Sequence, residues 1–176
     1  GGVSLAVKRI GIFGGTFDPI HYGHLVVAEE CWARLRLDHV LFVPAGQPPH
    51  KRGRVVSPAE VRVTMVRLAI ASNPAFRLSR IEVDRPGPSY SVDTVAQLHE
   101  QLGPGVELYF IIGMDSLTEL LTWHEPGRLA SLAQIVAATR PGVPPPDLTC
   151  LERVIPNVRE RILLLSAPEL NISATE

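Results

Sequence analysis

Lysine is scarce in this chain, and so are cysteine, aromatic side chains and long apolar runs. Cys31 and Cys150 stand alone with no CxxC spacing, which excludes a disulfide framework and a thiolate metal site and fits two reduced, structural thiols. No apolar run reaches the roughly 18 residues that a membrane span requires. Gly1 to Arg9 also lacks the apolar core of a secretory signal, so a cytoplasmic protein with no membrane partner is expected. The net charge of −1 provides no global basic field for coating nucleic acid. Any anionic ligand must therefore be met by local groups. Of 17 cationic residues only Lys8 and Lys51 are lysines, so a lysine inside a motif stands out. Neither GxGxxG nor GK[ST] occurs, which removes the dinucleotide fingerprint and the P-loop.

What remains is a chain of 176 residues with 45% apolar content, enough for one core and one domain over residues 1–176. Apolar β-rich runs alternate with helix-period segments. Val7 to Phe13 reads as a strand, and Gly23 to Leu37 places Val27, Cys31, Trp32 and Leu35 at helical spacing. Val40 to Val43 is a second strand, followed by a Gly-, Pro- and Arg-rich loop from Ala45 to Val56. Ser57-Pro58-Ala59-Glu60 predicts a capping box with proline at the first helical position. A strand is expected over Phe76 to Val83, a turn over Asp84 to Pro88 and a helix over Ser91 to Leu102, ended by Gly103-Pro104. Val106 to Ile112 is the most apolar run, suited to a central parallel strand. Short helices from Asp115 and over Gly127 to Ser131, then strands at Gln134 to Ala138 and Arg161 to Leu165, complete the alternation.

This order predicts an α/β fold: a Rossmann-like, mainly parallel sheet with helices on both faces and right-handed crossovers. Ligands in such sheets bind beyond the carboxyl ends of the strands, here after Phe13, Val43, Val83 and Ile112.

After the first strand comes Gly14-Gly15-Thr16-Phe17-Asp18-Pro19-Ile20-His21-Tyr22-Gly23-His24, leading into a helix. The glycines allow close backbone approach and the helix start offers unpaired N–H groups, a combination that favours phosphate. His21 and His24, three apart, can face the same way at a helix entrance. Nucleotidyl transfer needs an in-line arrangement and stabilisation of the leaving pyrophosphate, which imidazole donors supply. A zinc pair is the competing reading, but no further ligands stand at suitable spacing, and no metal site is expected.

The same string resembles the HxGH signature of the nucleotidyltransferase superfamily, in the form found in bacterial nicotinate mononucleotide adenylyltransferases. Three further segments carry that resemblance. Pro44 to Lys51 is similar to the family loop ending in a His-Lys pair near the phosphates, which implies roles for His50 and Lys51. Pro88-Ser89-Tyr90-Ser91-Val92-Asp93-Thr94 resembles the SYTxDT segment, with serine at 91 where threonine is common. The resemblance implies that Ser91, Asp93 and Thr94 meet the nicotinate nucleotide through backbone N–H groups. Ile111-Ile112-Gly113-Met114-Asp115-Ser116-Leu117, then Leu120 and Trp123, is similar to IIGxDSLxxLxxW. Gly113 and Asp115 are thereby implied near the adenosine, and Trp123 as a flat face for the pyridine ring. Asn171 to Glu176 resembles the start of ISSTxIR with alanine replacing one serine, which points to Ile172, Ser173 and Thr175 at the ATP site. The motif's arginine lies past Glu176, and a truncated C-terminal end is expected.

The expected catalytic set is His21, His24 and Lys51. Gly14, Gly15, Thr16 and Phe17 join the histidines, Gly113, Asp115 and the C-terminal residues around ATP. Gly15, Thr16, His50, Lys51, Ser91, Asp93, Thr94 and Trp123 surround nicotinate mononucleotide. Magnesium is expected to accompany ATP, held by phosphate oxygens. The competing acceptors are phosphopantetheine and the amidated nucleotide, and a non-catalytic nucleotide-binding module is the alternative of a different class. No basic face or KMSKS-like loop supports an RNA-binding role. A homo-oligomer stays open.

Overall fold

A computed structural model describes residues 7–46, 55–139 and 147–166. Among them six strands form one parallel sheet in the order β3-β2-β1-β4-β5-β6. The strands are β1 (Lys8–Gly15), β2 (His39–Pro44), β3 (Phe76–Leu78), β4 (Val106–Gly113), β5 (Gln134–Thr139) and β6 (Ile162–Ser166). All five ladders are parallel, as the expected crossovers require. The helices are α1 (Tyr22–Arg34), α2 (Ala59–Ile70), α3 (Ser91–Leu102), α4 (Met114–Glu119), α5 (Pro126–Leu132), α6 (Thr149–Glu152) and α7 (Val158–Arg161). No helix among the described residues is long and apolar enough to cross a membrane.

Alternation along the central strands divides the core between the two faces of the sheet. Ile10 and Ile12 of β1, with Leu108, Phe110 and Ile112 of β4, pack in one cluster with Val92, Val95 and Leu98 of α3 and Leu129 of α5. Phe13 of β1, Phe42 of β2 and Ile111 of β4 pack in the other, with Ala28 and Cys31 of α1 and Val66 and Ile70 of α2. Each fully buried aliphatic or aromatic side chain contributes roughly 1.5–3 kcal/mol through the apolar area it hides, so the sheet is held from both sides, more heavily on the face covered by α3 and α5. Burial pushes the Cys31 thiol up to about 12, which leaves it an inert core residue.

Two local expectations are corrected. Ser57 makes no capping box: the N-cap of α2 is Pro58, without a side-chain cap. Ser57 instead donates its N–H to Asp18 Oδ2 at 2.8 Å and gives its carbonyl to Arg62 Nε at 2.9 Å. A long-range network has outcompeted the local cap. The strand expected over Phe76 to Val83 stops at Leu78, because β3 is an edge strand paired only with Val40 to Phe42 of β2. The chain then turns through Arg80–Gly87, where Asp84 N–H bonds the Arg80 carbonyl at 2.9 Å.

That turn comes against the loop after β2. A Cβ placed on Gly46 would lie 2.5 Å from the carbonyl oxygen of Glu82, a main-chain atom that cannot swing aside. Gly46→Ala is expected to destabilise the fold by about 1–3 kcal/mol; a denaturant midpoint equal to wild type would show that this approach is not kept in solution.

Candidate active site

β1 and β4 are neighbours, but the chain leaves them toward opposite edges of the sheet. In open α/β sheets the ligand crevice lies beyond the carboxyl ends of the strands at such a switch point. Gly14 and Gly15 end β1 on one side of it and Gly113 ends β4 on the other. Among the described residues, a methyl group on Gly113 would meet nothing within 4 Å, and one on Gly14 would meet nothing closer than Val43 O at 3.9 Å. The folded chain itself leaves room for a side chain at both places.

His21 and His24 organise the start of α1. His21 is the N-cap, in extended conformation at φ −136°, and its Nδ1 accepts the Gly23 N–H at 3.1 Å. His24 Nδ1 reaches back to accept the His21 N–H at 3.1 Å, giving a reciprocal cap built from imidazoles. The ring centroids are 3.8 Å apart at 32°. With both Nδ1 atoms accepting, the neutral tautomer of each ring carries its proton on Nε2. Two N–H donors are thus oriented by the backbone of the helix they start. Behind them His24 packs edge-on to Phe13 (6.0 Å) and Phe17 (5.1 Å). Burial, and then the neighbouring His21, lower the His24 pKa to about 4. At neutral pH His24 is therefore an uncharged donor in the free protein. Phe17, at φ 50°, is 3% exposed with its ring in the core, so its side chain does not face a ligand.

The second half of the site comes from α3 and the segment after α4. Tyr90 is the N-cap of α3 and offers no side-chain cap. The Asp93 and Thr94 N–H groups both donate to the Tyr90 carbonyl, at 3.1 and 3.2 Å. Those of Ser91 and Val92 have no acceptor among the described residues. These unpaired donors lie three and two residues before Thr94; Ser91 is partly exposed, whereas Val92 is fully buried. The Thr94 side chain is fully buried, donating its hydroxyl to Glu82 Oε2 at 2.8 Å and accepting from Arg85 Nη1 at 3.0 Å. Burial raises the Glu82 pKa, opposed by the Thr94 hydrogen bond and the Arg85 charge. Trp123 is half-buried and meets Phe110 edge-on at 6.0 Å and 86°, while Tyr90 stacks on His124 at 4.8 Å. The Phe110 ring also lies 4.0 Å from a Cβ built on Gly14. One side chain of β4 thus reaches both the indole and the space beside Gly14 at the end of β1.

Asp115 is the second residue of α4, two positions past Gly113. His50, Lys51, Ile172, Ser173 and Thr175 lie outside the described residues. Among the described residues no three His, Cys, Asp or Glu side chains come together as a metal-binding group.

Sequence reasoning missed Arg62. Its guanidinium is buried at 1% exposure and donates to four main-chain carbonyls: Ser57 (2.9 Å), Thr16 (2.9 Å), Ala45 (2.7 Å) and Gly46 (3.3 Å). Burial lowers its pKa, while the charge of Asp18 favours the cation. The signal was present in the spacing, since Arg62 stands four and eight residues before the buried Val66 and Ile70. Tyr90 and His124 were also missed as a pair, because only the fold brings them together.

The low pKa of His24 has a measurable consequence. An NMR titration of the free protein should give a His24 midpoint at about 4 instead of the ordinary 6.5. Because the unfolded ring takes its proton first, stability falls as pH drops from 6.5 toward 4 and is unaffected by this group above that window. His24→Gln should flatten that fall; a midpoint at the ordinary value would contradict the packing described.

The cytidylyltransferase-like family model matches residues 12–176. A probable nicotinate-nucleotide adenylyltransferase of Thermomicrobium roseum is 48% identical over 170 residues, covering 97% of this chain and 78% of that protein. The protein of the same name from Roseiflexus sp. is 51% identical, with coverages of 95% and 82%. That from Moorella thermoacetica is 50% identical, with coverages of 96% and 78%. In fold the chain is similar to Plasmodium falciparum nicotinic acid mononucleotide adenylyltransferase complexed with NaAD, with a TM-score of 0.73 at 21% identity over 96% of this chain and 81% of that one. With the HxGH segment capping α1 at the switch point of the sheet, the chain belongs to the cytidylyltransferase-like family and, within it, to the nicotinate-nucleotide adenylyltransferases.

Proposed function

We propose that this chain transfers the adenylyl group of ATP to nicotinate mononucleotide, forming the deamido dinucleotide and pyrophosphate, a cytoplasmic step of NAD synthesis. The observation that carries this reading is the imidazole pair capping α1 just after β1, on the strand next to β4, whose Phe110 packs edge-on to Trp123 and in one cluster with the first turn of α3. One half suits a triphosphate and the other a flat, anionic ring.

In the reaction an oxygen of the acceptor phosphate forms a bond to the α-phosphorus of ATP. The bond from that phosphorus to the bridging oxygen breaks, and pyrophosphate leaves with the electron pair. The acceptor is already a nucleophile, so the protein contributes position and charge stabilisation. The Nε2–H groups of His21 and His24 donate to phosphate oxygens, and the negative charge there raises the His24 pKa toward its ordinary range. Gly14, Gly15, Thr16 and the Phe17 main chain line the triphosphate on the β1 side. Gly113 and Asp115 take the adenosine, with Ile172, Ser173 and Thr175. Lys51, with His50, brings a point charge to the phosphates. The ring carboxylate of the acceptor meets the start of α3 at the Ser91 N–H, in the segment that holds Thr94, and the ring lies against Trp123. Asp93 and Thr94 hold that helix start, Thr94 through Glu82 and Arg85. Magnesium, which offsets phosphate charge when bound, would be held largely by oxygens of the triphosphate.

Pyrophosphate release with ATP, magnesium and nicotinate mononucleotide should exceed that with the amide by about tenfold or more, because the amide leaves the α3 donors without an anion. No release with either acceptor would refute the assigned reaction. His24→Ala should lower kcat by about 100- to 1000-fold with a much smaller change in KM for ATP, as expected for a donor that acts in the transition state. Trp123→Ala should raise KM for the acceptor by about three- to tenfold; an unchanged KM removes the indole from the ring site.

A further inference from the structure

We propose that Arg62, braced by Asp18, is a positioning residue of the reaction, setting the spacing between the histidine loop and the loop that leaves β2. This inference rests on the adenylyl-transfer reading above. The β1–β2 ladder runs through Gly15 opposite Pro44, and its last bond beyond that pair is Ala45 N–H to Gly15 O at 2.8 Å. Past this point no ladder holds the two loops together, and Arg62 takes over. Its Nη1 alone bridges them, donating to Thr16 O at 2.9 Å on one side and Ala45 O at 2.7 Å on the other. Nη2 adds Gly46 O at 3.3 Å.

The circuit closes through Asp18. Its exposed carboxylate accepts the Ser57 N–H at 2.8 Å, and the Ser57 carbonyl accepts from Arg62 Nε at 2.9 Å. Thr16, Asp18, Ser57 and Arg62 thereby form one ring of bonds immediately before His21. A planar fork is needed, because the donors must diverge toward three segments at once; an ammonium on a flexible stem offers no such pattern. In-line transfer is sensitive to displacements of about 1 Å, so the spacing that Arg62 sets acts on turnover without the side chain touching substrate.

The test compares wild type with Arg62→Lys, which keeps the charge and loses the fork, and Asp18→Ala, whose exposed site spares the fold. Hydrogen exchange, circular dichroism and steady-state kinetics are measured on each. In Arg62→Lys, exchange over residues 14–18 and 44–46 is expected to rise together by about tenfold while residues 106–113 keep wild-type protection. At the same time kcat should fall by about tenfold and KM for ATP rise by about fivefold. Wild-type exchange in both loops overturns the proposal. So does a lower apparent kcat with unchanged KM and exchange, which signals only less folded protein. Should Arg62→Lys fail to fold, Asp18→Ala decides, with roughly threefold changes in loop exchange and kcat expected and wild-type values for both refuting it. A wild type that releases no pyrophosphate refutes the proposed reaction alone, and the exchange comparison still judges the brace.

Discussion

The interaction on which the rest of this structure depends is a cation placed where water cannot reach it. Burying a guanidinium is tolerated only when its N–H groups are matched, and here main-chain carbonyls from three separate segments match it. Removing either side of such an arrangement leaves uncompensated polar groups at a cost of about 3–5 kcal/mol. The same carbonyls belong to loops that regular structure no longer constrains. Arg62 therefore converts two chain ends of a sheet into one rigid rim, and the rim is where the phosphates are proposed to sit.

The histidine pair shows a related economy. At most helix starts a serine, threonine or aspartate satisfies the first N–H groups. In α1 imidazoles do so, through the nitrogen not needed for a ligand. Capping selects the tautomer, the tautomer fixes which nitrogen donates, and the Phe13 and Phe17 rings remove enough water to keep His24 neutral. Helix formation and donor placement are thus one event. The adjacent positive φ of Phe17 is maintained by that packing, since its ring is inserted beside Phe13 and Phe42.

Much of the fold was legible because the periodicities are strong where the chain is buried on both sides. Val106 to Ile112 reads as a central strand and is one; Ser91 to Leu102 reads as a helix and matches α3 to the residue. The strand order was not legible, since the parallel pairings join residues distant in sequence. Local rules failed where tertiary bonds were stronger. Ser57 has the residues of a capping box and spends its groups on Asp18 and Arg62 instead. The run to Val83 has strand composition, but it borders an edge strand and folds back against Gly46. At the site, the HxGH segment and Trp123 were singled out by motif and spacing. Which N–H groups of α3 lack an internal acceptor was not legible, because that depends on which carbonyl the first turn uses.

Phe110 packs edge-on against Trp123 and comes within 4.0 Å of a Cβ built on Gly14, at the end of β1 that leads into the histidine segment. A shared partition of this kind means that the two compartments are not separately adjustable: a bulkier or smaller ring there would shift the glycine bend and the indole in concert. Lineages that change the acceptor while keeping ATP would have to alter residues around this wall before altering the wall itself.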